Sequence, residues 1–249
     1  MIIGASVSSL DIAREITGVA KKIYQVSRAG KYDLPATWLP PNAERVSQVK
    51  SFETPADKSK APGQVTLVDG TVLNGIGRVV VATGYHNSFP FLLEYHSDTL
   101  SREEADEKVI VTDGSQVHNL HKDIFYIPDP TLAFIGLPYQ VPTFKFFEFQ
   151  SIAAAAVLSG KAKLPPTEKM RAEYRERVEK RGFGREFHAL GKDLTIPYID
   201  ELVAWINRDA ESTGGEKVKG LSEEWRRESM LGLEKLQRRF EARSNPQAE

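Results

Sequence analysis

Gly4-Ala5-Ser6-Val7-Ser8-Ser9 follows directly on the apolar Met1-Ile2-Ile3 and runs into a helix-patterned stretch. A strand that turns at glycine and enters a helix offers unpaired N–H groups at the positive end of the helix dipole. That arrangement binds phosphate. In the full G-x-G-x-x-G pattern the first glycine makes the turn, the second admits a pyrophosphate, and the third lets helix and strand pack closely. Gly4 keeps the first role. Ser6 and Ser8 are small and bring hydroxyl donors, so pyrophosphate contact is retained. Ser9 departs from the third glycine and weakens the packing part of the match.

The end of the next strand speaks to the nucleotide. A carboxylate roughly 20 residues after the glycine turn would bond a ribose 2′-OH and select NAD. Here the strand-like IYQVS at 23–27 is followed by Arg28, with Lys31 just beyond and no acid close in sequence. A guanidinium pairs bidentately with a dianionic 2′-phosphate. The pattern therefore points to NADPH over NADH, with Arg28 as the discriminating residue.

Other chemistries find less support. There is no cysteine, which excludes disulfides, thiolate metal sites, cysteine nucleophiles and dithiol redox centres. None of the 8 tyrosines has a lysine four residues on, as a short-chain dehydrogenase needs, and no G-x-S-x-G elbow or P-loop is present. Among the 5 histidines, His118 and His121 could share a helical face, but no third ligand accompanies them and no metal is expected. His86 follows a glycine turn and reads as loop packing, and His188 reads as structural.

These residues need elements to hold them. The 249-residue chain is 41% hydrophobic and 27% charged, long enough for one large or two smaller domains. A net charge of -1 recruits neither nucleic acid nor an anionic membrane. The longest apolar run, 151–160, is far short of the ~20 residues of a span, and no basic leader precedes it, so a cytoplasmic location is expected. Met1–Ile3, a helix from Val7 to about Ala20, and the 23–27 strand form a βαβ unit with a parallel sheet. Residues 29–62 read as loop. VTLV and TVL flank an Asp69-Gly70 hairpin turn at which both residues favour positive φ. RVVVATG at 78–84 reads as a fully buried strand, and FYIP and TLAFIGLP as two short strands. Helices are expected over 144–159 with Gly160 as C-cap, over 166–181 as a solvated amphipathic helix, over 198–210, and from Ser222 to about Ala242. The aromatic run Phe144, Phe146, Phe147 and Phe149 reads chiefly as core.

Taken together, the Gly4 turn with Asp11-Ile12-Ala13, the basic residue after the second strand and Ala82-Thr83-Gly84-Tyr85 resemble the flavin-containing monooxygenases of fungal type. PDPTLAFIGLP, KFFEFQSIAAAAVLSGKAKLP and RGFGREFHALGKDLTIPYIDEL are similar to that family's C-terminal flavin-domain segment and tail. The resemblance implies an α/β fold: a Rossmann-like (FAD/NAD(P)-binding) parallel-sheet module, then part of a second dinucleotide-binding domain with a helical C-terminal tail. It implies an NADPH-binding domain over 1–88 and the C-terminal part of the FAD-binding domain over 89–249. The family's FAD-binding G-x-G-x-x-G lies upstream of its NADPH motif, so the chain is expected to be N-terminally truncated relative to the family.

By the same resemblance, Gly4, Ser6, Ser8, Ser9, Arg28, Thr83 and Gly84 would hold NADPH. Gln140 and Thr143 would lie near the flavin of FAD, and Glu148 and Gln150 would sit on the helix beneath. The implied activity is NADPH-dependent N- or S-oxygenation of a small amine or sulfur substrate by O2. The flavin carries the chemistry, so no side chain is assigned as acid, base or nucleophile. A homo-oligomer is compatible with this reading. The alternative is a non-catalytic fragment that binds NADPH at most.

Overall fold

The computed structural model describes residues 1–53 and 63–229, which separate into two units, Met1–Tyr85 and residues 86–229. In the first unit, in chain order, stand β1 (Ile2–Ile3), α1 (Val7–Glu15), β2 (Ile23–Val26), β3 (Ala43–Val46), β4 (Val49–Glu53), β5 (Gly63–Leu67), β6 (Val72–Ile76) and β7 (Val80–Val81). Strands β3-β2-β1-β7 form a parallel sheet in that order. Ile2, Ala13 and Ile23 are almost fully buried and fix α1 against the sheet. The helix is shorter than its pattern suggests. It gives way at Ile16–Gly18 to a single 3-10 turn, because Ile16, Thr17, Gly18 and Val19 are weak helix formers in succession.

Three further expectations are revised in this unit. The stretch read as loop contains β3 and β4, and β4 joins β5 and β6 in an antiparallel sheet. These strands are polar and partly exposed, so their alternation is faint beside the neighbouring prolines. The Asp69-Gly70 hairpin forms, but only Gly70 takes a positive φ, of 86°. Its N–H reaches the Leu67 carbonyl at 3.1 Å, which is a three-residue loop closing on a left-handed glycine. Asp69 instead accepts the Thr71 N–H and the Ser47 hydroxyl, at 2.9 and 2.6 Å. Finally, the strand expected over 78–84 is only Val80–Val81, and Val81 is 69% exposed. Among the described residues β7 is the terminal strand of its sheet, flanked by β1 on one side.

The second unit contains β8 (Leu120–His121), β9 (Phe125–Tyr126), α2 (Thr143–Leu158), α3 (Thr167–Arg181) and α4 (Gly191–Thr213). The β8–β9 pair is antiparallel and turns through Lys122 and Asp123, both left-handed, with φ of 53° and 55°. TLAFIGLP contributes one bridge, Phe125 to Ala133, rather than a strand. Pro128, Pro130 and Pro138 remove the donors a ladder needs. The helix α2 is as read, with Gly160 left-handed just beyond it at φ 72°. The helix α4 begins at Gly191 rather than Tyr198, its first turns hidden in sequence by Gly191 and Pro197. Residues 223–229 are helical, and the rest of the last expected helix lies outside the described residues. No helix among the described residues is long and apolar enough to cross a membrane.

Phe146, Phe149 and Ala153 on α2 pack with Ile199, Leu202 and Ile206 on α4 in the larger core. Phe144 is 92% exposed, so the aromatic run is divided between core and surface. A second cluster gathers Ile110, Val117, Leu120, Tyr126 and Phe134. The third helix is charged and mostly exposed, with one buried side, as an amphipathic helix is. Its buried side carries Met170 and Arg171, and Arg171 donates to Asn119 Oδ1 at 2.7 Å and to the Glu107 carbonyl at 2.8 Å.

Polar groups lie buried between these clusters. Asp123 is fully buried and accepts from Arg177 Nη2 at 2.7 Å and His188 Nδ1 at 2.8 Å. His188 Nε2 accepts the Val117 N–H at 3.0 Å, so its Nδ1 is the donor to Asp123. His118 and His121 lie on the segment entering the β8–β9 hairpin, not on one helical face. Among the described residues no group of three or more His, Cys, Asp or Glu could hold a metal. Burial lowers His118 to about 4. Burial, with Lys122 and Lys169 nearby, lowers His121 to about 3. For Asp123 burial acts upward, but Arg177 and His188 outweigh it and hold the carboxyl at about 2.

Two outcomes follow for stability. Phe146→Ala should cost about 3–5 kcal/mol in urea unfolding, whereas Phe144→Ala should stay within about 0.5 kcal/mol. The unfolded histidines protonate at the ordinary 6.5, well above the folded values near 4 and 3, so the unfolded state binds more protons between them. Stability should therefore fall as pH drops below 6.5, and Asp123 should add a further loss between its ordinary 3.8 and 2. Thermal melts by circular dichroism from pH 7.5 to 2 check this, and a flat midpoint would contradict the buried neutral histidines.

Candidate cofactor-binding site

Because β1, β2 and β7 are adjacent and parallel, their C-terminal ends open at one edge, where α/β sheets bind ligands. Gly4 leaves β1 there, Ser27-Arg28 leave β2, and Ala82-Thr83-Gly84 leave β7. The Gly4 N–H reaches the Val26 carbonyl at 3.0 Å, and the Ala82 N–H reaches the Ile3 carbonyl at 2.7 Å. Gly4 has φ 118°, and a Cβ on it would lie 2.3 Å from the Ala82 carbonyl oxygen. Both the dihedral and the close backbone crossing require glycine. Ser6 then takes an extended conformation at the N-cap of α1, and its side chain makes no capping bond. Ser8 is exposed on the first turn, and Thr83 and Gly84 are exposed opposite. This open cradle at a helix N-terminus, with a backbone approach that a Cβ would block, fits a dinucleotide phosphate.

Ser9 is elsewhere. It is fully buried, and its hydroxyl accepts a hydrogen bond from Gln25 Nε2 at 2.7 Å. The Gln25 Oε1 in turn accepts from Arg45 Nε at 2.9 Å and Nη2 at 2.7 Å. Ser9 therefore joins α1 to the sheet beneath it, and its side chain does not face the open edge. A polar chain across three elements stands where the usual glycine would give bare contact. The sequence signal for it was a glutamine in the middle of the apolar strand IYQV.

Arg28 is exposed just past β2. The loop carrying it is closed by an acid that the sequence reading passed over. The Asp33 carboxylate accepts from the Ser27 hydroxyl, and from the Gly30 N–H at 3.2 Å. Ser27 Oγ accepts the Ala29 N–H at 2.8 Å, and Ala29 is left-handed with φ 54°. An acid does stand near the strand end, then, but it is engaged in holding the Arg28 loop. Lys31 lies over the Tyr32 ring, 5.6 Å from its centroid.

In the second unit Gln140 is exposed and left-handed at φ 60°, and Thr143 is exposed as the first residue of α2. The two share one loop–helix junction. Glu148 is at the surface, paired with Lys145 at 2.8 Å. Gln150 is fully buried and accepts the Gly136 N–H at 3.0 Å while donating to the Tyr198 hydroxyl at 3.1 Å, so it ties α2 to its neighbours. His86 is loop packing, with Nδ1 2.7 Å from the Asp113 carbonyl.

Residues 56–212 match the family model described as flavin-binding monooxygenase-like. Flavin-containing monooxygenase ustF2 of Aspergillus flavus is 43% identical over 233 residues, covering 90% of this chain and 47% of that protein. Flavin-containing monooxygenase iboF of Amanita muscaria is 32% identical over 233 residues, covering 88% of this chain and 43% of that one. The structure of S-allyl-L-cysteine S-oxygenase from Allium sativum is similar with a TM-score of 0.62 at 25% identity, covering 99% of this chain and 49% of that one. The chain spans about half the length of the curated relatives it matches. With an α/β parallel-sheet fold and a glycine turn at its sheet edge, the chain belongs to the flavin-binding monooxygenase-like family.

Proposed function

We propose that the chain supplies the NADPH-binding domain (1–88) and the C-terminal part of the FAD-binding domain (89–249) of an NADPH-dependent monooxygenase. Its substrate would be a small soft nucleophile, an amine or a sulfur compound, and its oxidant O2. The observation that carries this reading is the Gly4 cradle, where a Cβ would meet the Ala82 carbonyl at 2.3 Å. A pyrophosphate seated there would receive the first N–H groups of α1 and the hydroxyls of Ser6 and Ser8, with Thr83 and Gly84 closing the far side. Arg28, carried on the loop that Asp33 closes, would pair with the 2′-phosphate. FAD, when bound, supplies hydride acceptance and oxygen activation. Gln140 and Thr143 would hold it on the side of the second unit. A sulfur nucleophile draws support from the similarity to the S-allyl-L-cysteine S-oxygenase of Allium sativum.

A second reading is a fragment that binds NADPH without catalysing oxygenation. It is favoured by the 69% exposure of Val81 on the terminal strand of the sheet, an apolar surface of the kind that a further segment normally covers. The two readings differ in flavin. After incubation with FAD and desalting, the oxygenase reading expects a retained visible flavin band and NADPH-dependent oxygen uptake, and the fragment reading expects a colourless protein.

Both readings share a nucleotide prediction. By calorimetric titration, Arg28→Ala should lower NADPH affinity about 10- to 100-fold, as expected for lost charge-assisted bonds, and barely change NADH affinity. Equal losses for the two would overturn the 2′-phosphate role. Gly4→Ala should abolish binding of both nucleotides.

A further inference from the structure

Arg28 is exposed and, among the described residues, has no hydrogen-bond or ion-pair partner of its own. An arginine on a loose loop must be immobilised by the ligand that needs it, which weakens binding. The loop under Arg28 is not loose. Ser27 to Leu34 is fastened at both ends. The Ser27 N–H donates to the Val46 carbonyl at 3.0 Å, on β3, and the Leu34 N–H donates to the Ala5 carbonyl at 2.8 Å, in the glycine turn. Between these ends the chain bends sharply. Ala29 is left-handed at φ 54°, a conformation unfavourable to a residue with a Cβ, and the Asp33 N–H closes on the Gly30 carbonyl at 3.0 Å.

Asp33 sustains that bend. Its Oδ2 accepts the Ser27 hydroxyl and, at 3.2 Å, the Gly30 N–H, while Ser27 Oγ accepts the Ala29 N–H at 2.8 Å. The two amides that follow Arg28 are thereby both tied down. A Cβ on Gly30 would lie 3.6 Å from Asp33 Oδ1 and 3.8 Å from Arg28 Nε, so the acid and the guanidinium flank the same space over the turn. A carboxylate there acts on a 2′-phosphate in two opposite ways. Its charge repels a dianion, and its acceptor oxygen fixes the turn that presents Arg28. Water and salt weaken the repulsion at an open sheet edge. The clamp has no such discount, since no other side-chain bond among the described residues holds the Ala29 and Gly30 amides.

We infer that Asp33 is a positioning residue for nucleotide selectivity: through Ser27 it pre-forms the turn that holds Arg28 ready for a 2′-phosphate. This rests on the NADPH reading of the same site and adds the group that makes Arg28 selective.

The test titrates the full chain calorimetrically with NADPH and with NADH, as wild type and as Arg28→Ala, Asp33→Ala, Asp33→Asn and the double variant Arg28→Ala/Asp33→Ala. Asp33→Ala should lower NADPH affinity about tenfold and leave NADH affinity within about twofold. Loss of a repelling charge alone would move NADPH the other way. Asp33→Asn should keep the wild-type preference, because one amide oxygen can accept both bonds that Oδ2 accepts. In the Arg28→Ala background Asp33→Ala should change NADPH affinity no further, since it acts through Arg28. Ser27→Ala breaks the same clamp with the acid left in place; it should match Asp33→Ala and carries the test if that variant fails to fold.

Unchanged or raised NADPH affinity in Asp33→Ala, an equal loss for NADH, a loss as large in Asp33→Asn, or full additivity with Arg28→Ala would overturn the inference. A selective NADPH loss in Arg28→Ala would leave the 2′-phosphate reading standing in each of those cases. Without that selective loss the reading itself falls, and the inference with it.

Discussion

A fully buried carboxylate organises the larger unit. Removing Asp123 from water is tolerable only because a guanidinium and an imidazole meet it at hydrogen-bond distance from two separate segments. Arg177 belongs to α3, and His188 to the short turn ahead of α4, while the far nitrogen of His188 takes the Val117 N–H from the loop before β8. Four stretches with little regular ladder between them are thereby placed relative to one another. The left-handed pair Lys122 and Asp123 follows from the same demand, since the hairpin must turn tightly enough to aim the acid inward.

The smaller unit rests on a different constraint, the crossing of backbones at Gly4. Pairing β1 with β7 brings the Ala82 carbonyl against the Gly4 Cα, and nothing larger than hydrogen fits between them. That contact sets where the chain leaves the sheet, hence where α1 begins and where its open N–H groups point. Geometry that a side chain would ruin is thus the same geometry that leaves room for a phosphate.

Much of this was legible in the sequence, and the failures have physical causes. The Gly4 turn, the βαβ unit and α2 announce themselves because a glycine at a strand end and a regular apolar period are strong local signals. The β8–β9 hairpin does not, since its two left-handed positions are a lysine and an aspartate rather than Asn-Gly. The first turns of α4 hide behind Gly191 and Pro197, residues that usually end helices. Asp33 was missed because it reaches back to Ser27 only after the loop folds, and the buried place of Ser9 because its partner, Gln25, sits on another element. What the sequence conceals here are contacts between polar residues, which carry no periodicity.

The Ser9–Gln25–Arg45 chain bears on how such fingerprints diverge. A family pattern treats each position as an independent letter, and by that standard restoring glycine at position 9 would look like an improvement. Here it would strip Gln25 Nε2 of its acceptor inside the core and leave a hydrogen-bonded relay ending on nothing. The serine, the glutamine and the arginine form one coupled unit, so a glycine at position 9 alone costs stability unless its partners change with it.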